Sequence, residues 1–188
     1  MLAAAVRLLT LSGEPPPPGG DAELVEAALR PAGQSAFEEL VRRHTAPLRR
    51  YVARMSYETP DTDDIVQEAF IRAWSNLRSF NPERARFTTW IHRIAHNLTI
   101  DHLRQRSREA PLESAAEVTS NPPDPELIRM RTAIARLPDR QRAAIVLRHV
   151  QGFSQQEAAA ILDLSEDALE SLTARARRTL RRSMGDGQ

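Results

Sequence analysis

Residues 152–182, "GFSQQEAAAILDLSEDALESLTARARRTLRR", contain two helical patterns separated by a three-residue break. Ser154 and Glu157 match a capping box, in which the serine side chain accepts a hydrogen bond from a free backbone N–H and the glutamate reaches back to the cap. Apolar residues then continue along one side of the second pattern. A short helix, a tight turn and a longer helix follow one another as in a helix-turn-helix.

The second of these helices carries polar groups suited to reading DNA. In a helix-turn-helix, the first residues of the second helix reach base edges in the major groove. The residues predicted to contact DNA are Ser171, Thr173, Arg175, Arg178 and Arg182, of which the first four are expected on the exposed side of the helix. Periodicity alone is equally compatible with two amphipathic helices that pack inside a bundle and leave their arginines solvated.

Two proline-rich stretches divide the chain. "GEPPPPGG", residues 13–20, cannot continue a helix, so it is expected to lead from an N-terminal extension into the first domain. "REAPLESAAEVTSNPPDPE", residues 108–126, shows no sustained period and predicts an interdomain linker. Patterning elsewhere is helical, without the alternation of a sheet, so an all-α chain of two small domains is predicted. The expected boundaries are an extension at 1–20, domains at 21–108 and 125–184 joined by a flexible linker at 109–124, and a tail at 185–188.

Three helices are expected in the first domain and four in the second. A stripe from Phe37 to Met55 predicts the first helix, which Pro47 should kink or divide. "DTDDIVQEAFIRAWSNL", residues 61–77, begins with acids that can cap and complement a helix N-terminus. No histidine joins these acids in the sequence, so a helix start is favoured there over a metal site. "TTWIHRIAHNLTIDHLRQRSR", residues 88–108, predicts the third helix.

A second basic region lies between residues 78 and 108. It contains seven arginines against two acids, and Phe80, Phe87 and Trp90 lie among them. A basic surface with nearby aromatic rings suits single-stranded nucleic acid, because the rings stack on bases while the arginines neutralise the backbone. Each aromatic residue taken alone more often belongs to a hydrophobic core.

Composition excludes several classes of chemistry. The chain of 188 residues has no cysteine, which excludes disulfides, thiol catalysis and cysteine-ligated zinc. Its five histidines and its carboxylates show no recognisable catalytic or metal-binding spacing, so no enzyme activity, metal or cofactor is predicted. No apolar run approaches the roughly 18 residues of a membrane span, and "MLAAAVRLLTLSG" lacks the basic leader of a secretory signal. We therefore expect a cytoplasmic protein.

Three blocks of sequence together resemble one protein family. "DDIVQEAFIRAW", "FTTWIHRIAHNLTIDHLR" and "LPDRQRAAIVLRHVQGFSQQEAAAILDLS", in this order, are similar to the bacterial sigma factors of the extracytoplasmic-function group, over roughly residues 21 to 183. The resemblance implies a factor that binds core RNA polymerase, directs it to specific promoters and assists DNA melting. It also implies three partners: core RNA polymerase, through its beta and beta-prime subunits, promoter DNA and an anti-sigma factor.

The resemblance assigns roles to residues that spacing alone does not. The implied polymerase-binding residues are Asp61, Asp64, Gln67, Glu68 and Trp74. The residues implied to bind the minus-ten promoter element are Asn81, Arg84, Arg86, Thr88, Arg93, His96 and Asn97. The helix-turn-helix would bind the minus-thirty-five element, although Glu170 stands where many relatives carry a basic residue.

Two other functions remain open on the sequence. A regulator that binds operator DNA without polymerase would account for the helix-turn-helix, but it leaves "DDIVQEAFIRAW" without a role. A sigma-mimicking protein that sequesters a regulator is the other alternative. Such mimics resemble a sigma-like part fused to a receiver domain, and no βα repeat is present in this sequence.

Overall fold

The computed structural model describes residues 20–56, 61–109 and 125–185. These residues form helices and no strand, which confirms the all-α prediction. The predicted extension up to residue 19, the linker from 110 to 124 and the tail from 186 lie outside the described residues. The helices are α1 (Asp21–Ala28), α2 (Gln34–Ser56), α3 (Thr62–Ser75), α4 (Phe87–Glu109), α5 (Pro125–Ala135), α6 (Asp139–Ile145), α7 (Gln155–Leu162) and α8 (Glu166–Gly185).

The described residues of the first domain form four α-helices where three were expected. The additional helix is α1, which packs on α2 and buries Leu24 and Val25. Its eight residues span little more than two turns, too few for the periodic pattern to identify. Helices α2, α3 and α4 contact one another around fully buried side chains such as Leu40 and Tyr51.

Pro47 was expected to kink or divide the helix; α2 continues through it, so the division does not occur. Proline removes one backbone N–H, but buried residues on both sides, including Leu40 and Tyr51, hold the two segments against the same core. The carbonyl of Pro47 accepts a hydrogen bond from Gln151 Nε2 at 3.3 Å. Tertiary packing therefore keeps the helix continuous.

The second domain has the four predicted helices. A π-helical segment, Val146–Val150, extends α6, and Gly152 adopts a positive φ of 77° in the turn that leads to α7. Helix α8 packs against α5, α6 and α7, with Leu169 and Ala176 fully buried. The longest helix of this domain is thus held on one side and leaves the other to solvent.

The two domains pack directly against each other. Helix α4 of the first domain contacts α7 of the second, and a single hydrophobic cluster includes buried residues of both. The His92 ring meets the Phe153 ring edge-on, with centroids 4.8 Å apart. We call the contact between α4 and the segment from Phe153 to Asp163 the interdomain seam.

Candidate nucleic-acid interface

The helix-turn-helix starts at the predicted capping box. Glu157 N donates to Ser154 Oγ at 3.1 Å, and Ser154 N donates to Glu157 Oε2 at 2.9 Å. Burial opposes ionisation of Glu157, but the bonds from Ser154 and from Arg86 outweigh it and lower the pKa of this carboxyl. Glu157 therefore remains charged at neutral pH while it fixes the start of α7.

The turn between α7 and α8 is held by local hydrogen bonds. Asp163 ends α7 in the left-handed conformation, with φ 56°, which aspartate tolerates better than most residues. Ser165 Oγ accepts a hydrogen bond from Ala168 N at 3.2 Å, and Gln155 Nε2 donates across the turn to the Glu166 carbonyl at 2.9 Å. The angle between the two helices is thus fixed on both sides of the turn.

Four of the five residues predicted to read DNA on α8 are exposed: Ser171, Arg175, Arg178 and Arg182. Thr173 is the exception. It is buried, and its hydroxyl donates to the Leu169 carbonyl at 2.9 Å. Because Thr173 follows the fully buried Leu169 by one turn, it lies on the packed side of the helix. The prediction that Thr173 lies on the exposed side was wrong.

The residues assigned to the minus-ten element lie in the loop before α4 and along α4. Asn81, Arg84 and Arg86 are exposed in the loop, and Arg93 and Asn97 are exposed on the helix. Thr88 and His96 are half-buried. Exposed groups on one loop and one helix could together follow a single strand of nucleic acid.

His96 is held inside the first domain rather than presented to a ligand. Its Nδ1 lies 2.8 Å from the Tyr51 hydroxyl. Burial, assisted by the positive charge of Arg140, lowers the pKa of His96 to about 4. The ring is therefore neutral near pH 7 and supplies no positive charge to a phosphate.

The aromatic residues of the basic region belong to the core. Phe80 and Phe87 are buried, and Trp90 packs against both, at centroid distances of 5.2 and 5.8 Å. These rings support the loop that carries Arg84 and Arg86. In this arrangement, Phe80 and Phe87 offer no open face on which a base could stack.

The two candidate nucleic-acid surfaces meet at the interdomain seam. Arg86 NH1 lies 3.1 Å from Glu157 Oε1, and Arg93 NH2 lies 3.0 Å from Asp163 Oδ1. Two arginines predicted to bind promoter DNA thus pair with acids of the helix-turn-helix. The pairs join residues about 70 positions apart, and no sequence pattern indicated them. Glu157 serves both the capping box and this contact.

The acids at the start of α3 also have partners that the sequence did not reveal. The acids were expected to cap the helix, but the Asp61 side chain makes no capping hydrogen bond. Its Oδ2 lies instead 3.0 Å from His102 Nε2. Asp63 pairs with Arg49 at 2.6 Å. A histidine does therefore join the acid cluster, yet the described part of the chain contains no group of three potential ligands that could hold a metal ion.

The candidate polymerase-binding residues lie on one side of α3, opposite its buried stripe. Asp64 is exposed, Gln67 and Glu68 are half-buried, and Glu68 pairs with Arg72 at 2.8 Å. Trp74, at the end of the helix, is 39% exposed, and its ring packs on Phe37 at a centroid distance of 4.8 Å. The surface thus combines acids with one accessible aromatic ring.

Comparison with known proteins shows the family. The Sigma-70 region 2 model matches residues 40–109, and the Sigma-70, region 4 model matches residues 127–180. Over 168 residues, the chain is 36% identical to the ECF RNA polymerase sigma factor SigM of Mycobacterium tuberculosis, a match that covers 88% of this chain and 85% of the relative. The chain belongs to the extracytoplasmic-function sigma factors.

Solved sigma factors share its fold. CnrH, in a structure with the cytosolic domain of CnrY, is 31% identical with a TM-score of 0.69, and the match covers 90% of this chain and 99% of CnrH. The Bartonella quintana sigma factor RpoE, in complex with the anti-sigma factor NepR, is 26% identical with a TM-score of 0.69 over 81% of this chain and 98% of RpoE. Two domains of the region 2 and region 4 type are thus confirmed.

This sigma factor binds core RNA polymerase and recognises promoter DNA for transcription initiation. Its region 2 match contains every residue assigned to polymerase and to the minus-ten element. Its region 4 match contains Ser171, Thr173, Arg175 and Arg178 but ends two residues before Arg182. The family consists of transcription regulators. No helix among the described residues is long and apolar enough to cross a membrane.

Proposed function

We propose that this sigma factor divides its work between two domains, residues 21–108 and 125–184, joined by the segment at 109–124. The first domain binds core polymerase through α3 and holds the melted minus-ten element on α4. The second binds the minus-thirty-five element through α8. The observation that carries the proposal is the exposed row of Arg175, Arg178 and Arg182 on a helix whose preceding turn is fixed by hydrogen bonds.

The polymerase-binding side of α3 consists of Asp61, Asp64, Gln67, Glu68 and Trp74. In run-off transcription with core polymerase of the same organism, transcripts should appear only when this protein is added. Changing Gln67 to Ala and Glu68 to Arg should remove both the transcripts and the association with core. Arg72→Ala is the control for loss of the Glu68–Arg72 pair, and it should retain transcription. Specific DNA binding without association with core would instead favour the operator-binding regulator.

The minus-ten element would meet Asn81, Arg84, Arg86, Thr88, Arg93 and Asn97. An unstacked base exposes both its edge and its face, so its capture in the loop can offset the cost of opening the duplex. His96 would help to position α4 through its contact with the Tyr51 hydroxyl. On a template whose minus-ten region is already opened, Arg84→Ala should lose less activity than on a closed duplex.

The two promoter elements cannot be bound at the same time while the interdomain seam is intact. The element names imply a separation of about 25 base pairs, or roughly 85 Å at 3.4 Å per base pair. Arg93 lies 3.0 Å from Asp163, and α8 begins three residues later with 20 residues, a length of about 30 Å. The domains must therefore separate on the promoter. Sixteen residue steps from Glu109 to Pro125 can span up to about 53 Å.

The compact arrangement also fits regulation by an anti-sigma factor, which we propose as the third partner. In it, Arg86 and Arg93 pair with acids of the other domain. An inhibitor that binds both domains would hold them together and keep those arginines from DNA. We place this regulation in the cytoplasm, where polymerase acts. Co-purification from cells with an inhibitor that also prevents binding to core would support it.

A further inference from the structure

Helix α8 carries its charges in two separate halves. Residues 166–174 contain three acids and no basic residue, whereas residues 175–182 contain five arginines and no acid. Acids in the first turn of a helix complement its dipole, which accounts for Glu166 and Asp167. Glu170 lies beyond that turn, where the effect of the dipole has faded. The position of this third acid therefore has another cause.

Glu170 has an exposed carboxylate. Among the described residues, no hydrogen bond or ion pair holds this side chain. It lines a groove of about 390 Å³ together with Arg148, His149 and Arg177. Both arginines are bonded elsewhere, since Arg148 NH1 donates to the Phe153 carbonyl and Arg177 NH2 donates to His149 Nε2 at 3.0 Å. Within that groove, the carboxylate of Glu170 is thus left available to a ligand.

Glu170 lies in the same row as a residue expected to contact DNA. Residues four apart on a helix lie one above another, so Glu170, Ala174 and Arg178 form one row along α8. All three are exposed. Glu170 is the fifth residue of the helix, about 6 Å from its start. In a helix-turn-helix, the first residues of the second helix are those that reach base edges, so Glu170 would face the major groove of bound DNA.

A carboxylate restricts what Glu170 can meet in that groove. Phosphates repel it, so the side chain should point to the base edges and not to the DNA backbone. A charged carboxylate only accepts hydrogen bonds, and the donors in the major groove are cytosine N4 and adenine N6. Adenine places its N7 acceptor beside N6, and guanine offers the acceptors N7 and O6. Cytosine is therefore the base that best suits Glu170.

We propose that Glu170 reads a cytosine of the minus-thirty-five element by accepting a hydrogen bond from its N4 amino group. The inference rests on the proposed function, because it requires that α8 bind that element. Arginines in the second half of α8 supply the attraction to phosphate. Glu170 is thus a specificity-determining residue, since adenine, guanine and thymine each present an acceptor that repels its carboxylate.

The test uses the complete protein with core polymerase of the same organism. Double-stranded promoter DNA with random bases across the minus-thirty-five element is selected for binding and sequenced. The parent should prefer cytosine at one position by at least about five-fold, the usual penalty for a wrong base pair. Glu170→Gln should shift that preference to adenine and Glu170→Lys to guanine, because these side chains suit those bases. Since Glu170 is exposed, both variants should fold as the parent does.

Glu166→Gln is the matched control. Glu166 is also exposed, and it lies one turn before Glu170. At 100° per residue, it is turned about 40° further toward the packed side of the helix. Loss of either acid should strengthen binding to DNA of any sequence, because each change removes one repulsion from the phosphates. Only the Glu170 variants should change the preferred base.

Three results would overturn the proposal. Base preferences that are the same in the parent and in both Glu170 variants would make Glu170 a solvated acid. An equal change of preferred base in the Glu166→Gln variant would assign the effect to charge alone. A parent without any base preference in the element would also refute the minus-thirty-five role of α8, which distinguishes failure of the proposed function from failure of this inference.

Discussion

The ion pair between Arg93 and Asp163 should favour the compact arrangement of the two domains. Asp163→Asn tests this with little other disturbance, because asparagine also tolerates the left-handed backbone that Asp163 adopts. The substitution removes the charge but keeps the size of the side chain. A smaller fraction of the molecules should then have the domains in contact.

The expected effect is small, and its size follows from exposure. The Arg93 side chain is 50% exposed and that of Asp163 is 83% exposed, although their N–O distance is 3.0 Å. Exposed pairs contribute about 0.2–1 kcal/mol, and solvent screening places this one within that range. The ratio of closed to open molecules should therefore fall by up to about five-fold, since 1 kcal/mol corresponds to that factor at room temperature.

The chain offers a direct assay because it has no cysteine. Cysteines placed at the exposed positions Ala22 in α1 and Ala160 in α7 can carry a donor and an acceptor dye. Single-molecule energy transfer then gives the closed and open populations. The Asp163→Asn effect should be measured both in the parent and in an Arg93→Gln background, and it should be weaker in the second.

The difference between the Asp163→Asn effects in the two backgrounds is the coupling energy between Arg93 and Asp163. Its size tests whether this ion pair holds the seam. An Asp163→Asn effect of equal size with and without Arg93 would refute the ion pair as a contact that holds the seam. Asp167→Asn is the matched control. It removes a nearby exposed acid that has no ion pair among the described residues, and it should show no coupling to Arg93. The coupling should also decrease at high salt.

Three further predictions concern stability. Ser154→Ala should lower the free energy of unfolding by about 1 kcal/mol in chemical denaturation, because Glu157 N loses its capping acceptor; no change would mean that water replaces the cap. Gly33→Ala should destabilise the protein by about 1–3 kcal/mol, since its Cβ would overlap the Ala27 carbonyl, whereas Gly20→Ala meets nothing within 4 Å and should have a smaller effect. Burial lowers the pKa of His92 from 6.5 to about 4, so the folded state favours the neutral ring. The free energy of unfolding should therefore fall by up to about 3 kcal/mol as the pH decreases from 6.5 to 4. An unchanged dependence of stability on pH in a His92→Gln variant would show that His92 is not the group responsible.

Local chemistry in the sequence predicted local structure well. The capping box of Ser154 and Glu157 is present, and the order of helices in the second domain is the predicted one. Both depend on residues within a few positions of each other, whose preferences the sequence expresses directly. Thr173 shows the limit of this approach. The buried side of α8 is wide enough to include a threonine one turn after Leu169. Because threonine is polar, its residue type did not indicate that Thr173 is buried.

Contacts between distant residues were beyond prediction from one sequence. The Arg86–Glu157 and Arg93–Asp163 pairs depend on how two domains dock, which helical periodicity does not describe. The same holds for His102, which bonds Asp61 from a helix 41 positions away. Pro47 differs in kind, because packing on both sides outweighed a local preference that would have ended the helix.

The composition of the interdomain seam determines how temperature acts on it. The seam is apolar at its centre, where Phe153 meets His92, and charged at its edge. Separation of the domains hydrates that apolar centre, so it should be accompanied by an increase in heat capacity. Hydrophobic contacts weaken on cooling. We therefore expect the compact form to loosen in the cold as well as on strong heating, with a maximum of closure at an intermediate temperature.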